Sequence, residues 1–261
     1  NQPLLAATAD DGTIRIWDAR KWSYLRTLRG HAGRVNAICA FSLNNNRLLA
    51  TTGQDRTVRI WDPRTEPDDD IREAHAGWVK AVCTFTLDGR TLLASAGDDG
   101  TVRVWTPRTG QHLRTINTDW ANLAVCGFAL KQRTVLATAC DDGAARIWDV
   151  NTGRHLRTLE GHTFRVKSVH ALTLNKSTLL ATACDDGTTR IWDADTGRHF
   201  RTLEGHKGGV NAVCAFTLSN QTLLATTADD GTTRIWNPHT GRHLRTLEGH
   251  KGGVNAVCAF T

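Results

Sequence analysis

The sequence predicts an all-β fold, a six-bladed β-propeller of four-stranded antiparallel blades, and three observations carry that prediction. Trp17, Trp61, Trp105, Trp148, Trp192 and Trp236 recur at intervals of 44, 44, 43, 44 and 44 residues. Each stands in a version of one phrase: DDGTIRIWD, QDRTVRIWD, DDGTVRVWT, DDGAARIWD, DDGTTRIWD and DDGTTRIWN. Around each phrase lie short apolar or alternating runs divided by turn residues, and no stretch carries a helical period.

Each unit reads as four strands. VNAVCAF and its relatives are short, apolar and β-branched, and so is the second run, TLLATA. The DDG that follows is a tight hairpin turn, with Asp and Gly suited to positive φ. TTRIW alternates as a third strand, TG turns the chain again, and RHLRTL alternates with its charges outward as the fourth. The blades then span 30–73, 74–117, 118–160, 161–204 and 205–248. The first blade combines 1–29 with 249–261, so that the C-terminal strand joins the N-terminal blade and closes the ring.

Composition bounds the function. The 261 residues are 40% hydrophobic and 22% charged, a globular balance. No apolar run reaches 18 residues, so no membrane-spanning helix is expected. The N-terminal stretch lacks a signal-peptide pattern, and the absence of Met is expected of a domain excised from a longer chain. Seven Cys, an odd number, form no CxxC pair and recur about 44 residues apart. They read as small buried residues in a reducing, cytoplasmic setting, and no metal site or cofactor is expected. The net charge of +6 comes largely from Arg repeated once per third strand (Arg15, Arg59, Arg103, Arg146, Arg190, Arg234). Charge spread in this way is no nucleic-acid patch.

The period, the GH pairs and the IWD phrases make the chain resemble the WD-repeat family over its whole length. The nearest resemblance is to highly repetitive bacterial members. In that family a His, a Ser or Thr, an Asp and a Trp form one hydrogen-bonded network per blade. The resemblance implies His31, Thr51, Asp55 and Trp61 in blade two, and His75, Ser95, Asp99 and Trp105 in blade three. It implies His162, Thr182, Asp186 and Trp192 in blade five, and His206, Thr226, Asp230 and Trp236 in blade six. Blade one would take His250 with Asp11 and Trp17, but Ala7 stands where the hydroxyl belongs. Blade four keeps Thr138, Asp142 and Trp148 and has no His, only Asp119 nearby. A hydroxyl, an imidazole and a carboxylate also describe a hydrolase triad. Repetition decides between the readings, since catalysis needs one activated nucleophile and a scaffold needs a network in every blade. No catalytic residue is therefore assigned.

Individuality then lies in the loops before the first strands, which by family analogy line the channel mouth. Arg34, Trp78, Trp120, Phe164, Arg165, Lys207 and Lys251 would share that rim, with Asp119 its only acidic member. Aromatic and Arg side chains dominate interaction hot spots. The expected function is a noncatalytic scaffold, mainly monomeric, that docks an acidic or amphipathic peptide and forms part of a larger bacterial protein. One alternative is a receptor for a small anionic or sugar-like ligand in the channel, using Asn36, Asn211 and Asn255. Another is a structural or engineered propeller without a ligand, favoured by the identity of residues 201–217 and 245–261. His112, His155, His199 and His243 are expected to be solvated, and His170 to fill a core slot. Trp22 and Tyr24 would mark a lateral contact. Residues 66–75, EPDDDIREAH, are expected to form an acidic, irregular outer edge.

Overall fold

The computed structural model describes residues 3–65 and 71–258, and all its regular elements are strands, as expected. They form six antiparallel sheets in sequence order. The first holds β1 (Leu4–Thr8), β2 (Ile14–Asp18) and β3 (Ser23–Leu28). The second holds β4 (Val35–Leu43), β5 (Asn46–Gly53), β6 (Thr57–Trp61) and β7 (Ile71–Glu73). The third runs β8 (Val79–Leu87), β9 (Arg90–Gly97), β10 (Thr101–Trp105) and β11 (His112–Asn117). The fourth runs β12 (Asn122–Leu130), β13 (Arg133–Cys140), β14 (Ala145–Asp149) and β15 (His155–Leu159). The fifth holds β16 (Val166–Leu174), β17 (Ser177–Cys184), β18 (Thr189–Asp193) and β19 (His199–Leu203). The sixth holds β20 (Val210–Leu218), β21 (Gln221–Ala228), β22 (Thr233–Trp236) and β23 (His243–Leu247).

The first blade is three-stranded. The fourth strand expected from 249–261 is not formed by its described residues: 253–258 carry no strand, and 259–261 lie outside the description. Residues 66–70 of the expected acidic edge also lie outside the described residues.

The first-to-second hairpins show why their turns read as they do. Asn175 and Lys176 have φ of 49° and 67°, and Ser219 and Asn220 have 49° and 62°, the paired positive angles of a type I′ turn. The DDG turns need their glycine in the same sense, with Gly187 at φ 82°.

Two compact units divide the chain, Asn1–Asn122 and Leu123–Thr261. Within each, the core lies between consecutive sheets. Strand alternation puts Ile191 and Trp192 of β18 on opposite faces. Trp192 packs with Val135, Ile147 and Leu159 of the fourth blade, and Ile191 with Val210, Val213 and Leu224 of the sixth. In the first unit Trp61 packs with Ile14, Ile16 and Leu28, and Trp105 with Phe41, Ala50 and Val58. In blades two, three, five and six the recurrent Trp is thus the large side chain presented to the blade before.

Candidate functional site

Four networks are assembled with one geometry. In blade five Trp192 Nε1 donates to Thr182 Oγ1 at 2.8 Å, His162 Nε2 lies 2.8 Å from the same oxygen, and His162 Nδ1 lies 2.8 Å from Asp186 Oδ2. His31, Thr51, Asp55 and Trp61 repeat this, with Trp61 Nε1 2.7 Å from Thr51 Oγ1. So do His75, Ser95, Asp99 and Trp105, and His206, Thr226, Asp230 and Trp236. The carboxylate only accepts, so Nδ1 carries the imidazole proton. Nε2 then accepts from the hydroxyl, which accepts in turn from the indole N–H. The indole, hydroxyl and imidazole donors of each network are matched in one direction, from Trp to Asp.

Electrostatics fit that order. Burial lowers the pKa of His31, His75, His162 and His206, against the pull of their Asp partners, so the rings stay neutral. Burial pushes the Asp186 carboxyl up, but hydrogen bonds from Thr188 and His162 outweigh it and hold the group at about 2. Asp55, Asp99 and Asp230 are lowered by the same balance. The hydroxyls of Thr51, Ser95, Thr182 and Thr226 belong to residues that are 0% exposed. A buried hydroxyl clamped between an indole and an imidazole meets no substrate carbonyl, so the triad-like geometry serves the scaffold.

The glycine of GH, which the sequence left unexplained, has a packing cause. A Cβ on Gly161 would come within 2.4 Å of Arg190 Nη1 and 3.4 Å of the Trp192 ring, and Gly30 and Gly205 are crowded in the same way by Arg59 and Arg234. Arg59, Arg190 and Arg234 therefore lie folded against these turns, whereas Arg15 is exposed and Arg146 is held by Asp142. Arg59, Arg103, Arg190 and Arg234 all have a buried Nε without a hydrogen-bond partner.

Blades one and four depart. In blade four Trp148 Nε1 still donates to Thr138 Oγ1 at 3.1 Å, but Asp142 is gripped by both terminal nitrogens of Arg146. Thr118 occupies the sequence position of the missing His and is buried with Asn122, which donates to Thr118 Oγ1 at 2.7 Å. Asp119, with φ 65°, sits on the loop between them. In blade one Asp11 bonds to Thr13, Trp17 packs edge-on against Tyr24 at 6.4 Å, and His250 is exposed.

Blade five holds one feature that sequence spacing had set aside. Its second strand ends in Cys184, whose sulfur lies with a His162 ring nitrogen and an Asp186 carboxylate oxygen, all within 4.8 Å of one another, and it is Nδ1 that faces Asp186. The residues are 22 and 2 positions apart from Cys184, so only the strand-turn geometry unites them.

The fourth-strand histidines are exposed, yet they are not merely solvated. His112, His155, His199 and His243 pack edge-on against Trp105, Trp148, Trp192 and Trp236, with ring centroids 5.1–5.4 Å apart. Each is pinned by a hydroxyl three residues on, as His199 is by Thr202 at 2.9 Å. A strand irregularity after Ile191 sets Trp192 opposite His199 and permits this cover. His170 is half-buried, and burial lowers its pKa. Replacing Trp192 by Phe removes the indole donor and leaves part of the slot unfilled, with the other pairings intact. The expected loss is about 1–3 kcal/mol in a denaturant melt, and an unchanged midpoint would refute the role given to the indole.

The loops before the first strands carry the expected rim residues, but not as a simple cationic set. Arg34 pairs with Asp10 at 3.1 Å, Arg165 with Asp185 at 3.1 Å, and Lys80 with Asp98 at 3.3 Å. The first Asp of the DDG turn therefore joins the surface, which corrects the expectation that Asp119 is its only acidic member. Lys207 and Lys251 are exposed, and Phe164 is 63% exposed. Trp22 is 76% exposed on the outer side of blade one. The asparagines invoked for a channel receptor tie neighbouring blades. Asn36 donates to Val79 O at 2.9 Å, and Asn211 donates to Asp229 at 2.7 Å and to Val254 O at 3.2 Å. Asn255 is exposed.

Around blade three the loops converge on one turn. Trp78 O accepts from Asp98 N at 3.0 Å, and Gly100 O accepts from Thr118 N at 2.8 Å. Trp78 and Trp120, 47% and 48% exposed, thus flank the turn 98–100 from the two sides. Lys80 lies 4.4 Å over the Trp78 ring.

The WD domain, G-beta repeat, matches this chain at residues 1–18, 22–62, 70–106, 153–193 and 197–237, more than half its length. The gap from 107 to 152 contains Thr118 and Arg146, where the network is rebuilt. No curated protein sequence matches the chain.

Proposed function

From the chain's membership of the WD domain, G-beta repeat family, whose fold serves generally in protein–protein interaction, we propose a noncatalytic docking module that binds an amphipathic peptide segment on its first unit. The observation that carries this reading is the pair of half-exposed tryptophans flanking the turn 98–100. Two indoles fixed on a rigid turn offer a large apolar contact area at little ordering cost. Lys80 is already balanced by Asp98 and laid over Trp78, so the surface is amphipathic rather than cationic. A partner with an apolar face and a polar edge suits it better than a strongly acidic one. No disulfide joins any of the seven cysteines, and a reducing, cytoplasmic setting suits them.

The test is selection of peptides from a displayed amphipathic library on the wild-type chain, followed by titration against variants. Trp78→Ala and Trp120→Ala should each weaken the selected peptides by about 30-fold, the scale of an interface hot spot. Equal binding to both variants and the wild type would overturn the proposed surface.

A further inference from the structure

We infer that His162, Cys184 and Asp186 form a binding site for one borderline divalent transition-metal ion of the Zn(II) type. Imidazole nitrogen, thiolate and carboxylate oxygen are the donor set that such ions take in tetrahedral sites, with ligand atoms about 3.5 Å apart. Here the three donor atoms already lie within 4.8 Å of one another, and their side chains are largely buried. The site is peculiar to blade five. The corresponding position is Gly53 in blade two, Gly97 in blade three and Ala228 in blade six. Blade four has Cys140, but its Asp142 is held by Arg146.

The surrounding hydrogen bonds accommodate the ion. An ion on Nδ1 obliges the imidazole to carry its proton on Nε2, which then donates to Thr182 Oγ1. That hydroxyl can no longer donate to the ring, and it has another acceptor: the Arg190 carbonyl, 3.3 Å away. It continues to accept from Trp192. Asp186 loses the Nδ1–H bond but keeps the bond from Thr188 at 2.6 Å. One proton leaves, from the Cys184 thiol. The imidazole keeps its own, and the fourth position remains for a water molecule. Metal coordination thus replaces the His–Asp bond of this one network and the Cys184 S–H bond to the Phe164 carbonyl, while Asp186 N still donates to the sulfur at 3.3 Å.

The test is a Co(II) titration of chelator-treated protein, followed by displacement with Zn(II). The wild type should take up one ion with the intense near-ultraviolet band of a thiolate–Co(II) bond and the visible bands of a tetrahedral ion. Zn(II) should abolish both and raise the melting temperature. Cys184→Ala has the residue that blade six carries naturally, so it should fold with an unchanged circular dichroism spectrum and lose the band and the thermal shift. Ala228→Cys places a cysteine beside His206 and Asp230 and should add a second thiolate-marked ion. A wild type without the thiolate band, or a band that persists in Cys184→Ala, would overturn the site. An Ala228→Cys chain that still takes only one ion would overturn the claim that these three residues suffice.

Discussion

Thr182→Val should destabilise the protein by about 2–6 kcal/mol, although it changes the side-chain volume very little. The hydroxyl stands at the centre of its network, accepting from Trp192 and meeting His162 Nε2. Valine leaves two buried polar groups without partners, and each costs about 1–3 kcal/mol when orphaned. Thr182→Ser provides the contrast. Serine keeps the hydroxyl, as Ser95 does in blade three, and loses only one methyl group, worth about 1 kcal/mol. Denaturant melts of the three proteins decide the matter. Because repeat proteins lose stability locally, hydrogen exchange at the Trp192 indole should accelerate in the valine variant. A Thr182→Val midpoint matching that of Thr182→Ser would show that packing, not the hydrogen-bond chain, holds the blade.

This dependence on one hydroxyl also explains what was legible from the sequence and what was not. The four networks are written in register: His, hydroxyl, Asp and Trp recur at fixed offsets because each strand fixes one of them, so repetition exposes them. The departures lack that redundancy. Thr118 replaces His in a blade that looks merely defective as text, and only its burial with Asn122 shows that the space is refilled. Cys184 reads as a small core residue because Cys140 and, in other blades, Ala or Gly occupy its place, and its approach to His162 arises from a turn and a loop meeting in space. The loop cations looked unopposed since Asp10, Asp98 and Asp185 belong to the turn motif, where a structural role already accounts for them. Their ion pairs cross from turn to loop, and no local pattern encodes that.

Acidification from pH 7 toward pH 5 should destabilise the chain well before its carboxylates titrate. Five histidines, His31, His75, His162, His206 and His170, have folded-state pKa values below the ordinary 6.5, with burial the leading cause in each. The unfolded chain therefore binds more protons than the folded one as pH falls through 6.5. Stability is complete above that value and declines below it, at up to about 1.4 kcal/mol per pH unit for each histidine. The slope levels only when the folded histidines also protonate. The depressed carboxyls act in the same direction but lower down, since the contribution of Asp186 is present above 3.8 and fades toward its folded value of about 2. Two separate descents are thus expected in unfolding free energy against pH, the first belonging to histidine. Replacing His170 by Cys, the residue at the matching place in β4, β8, β12 and β20, should make that first descent shallower and leave the second unchanged. A flat profile between pH 7 and pH 5 would mean that the imidazoles protonate as readily in the fold as in water, and the proton order from Trp to Asp would fall with it.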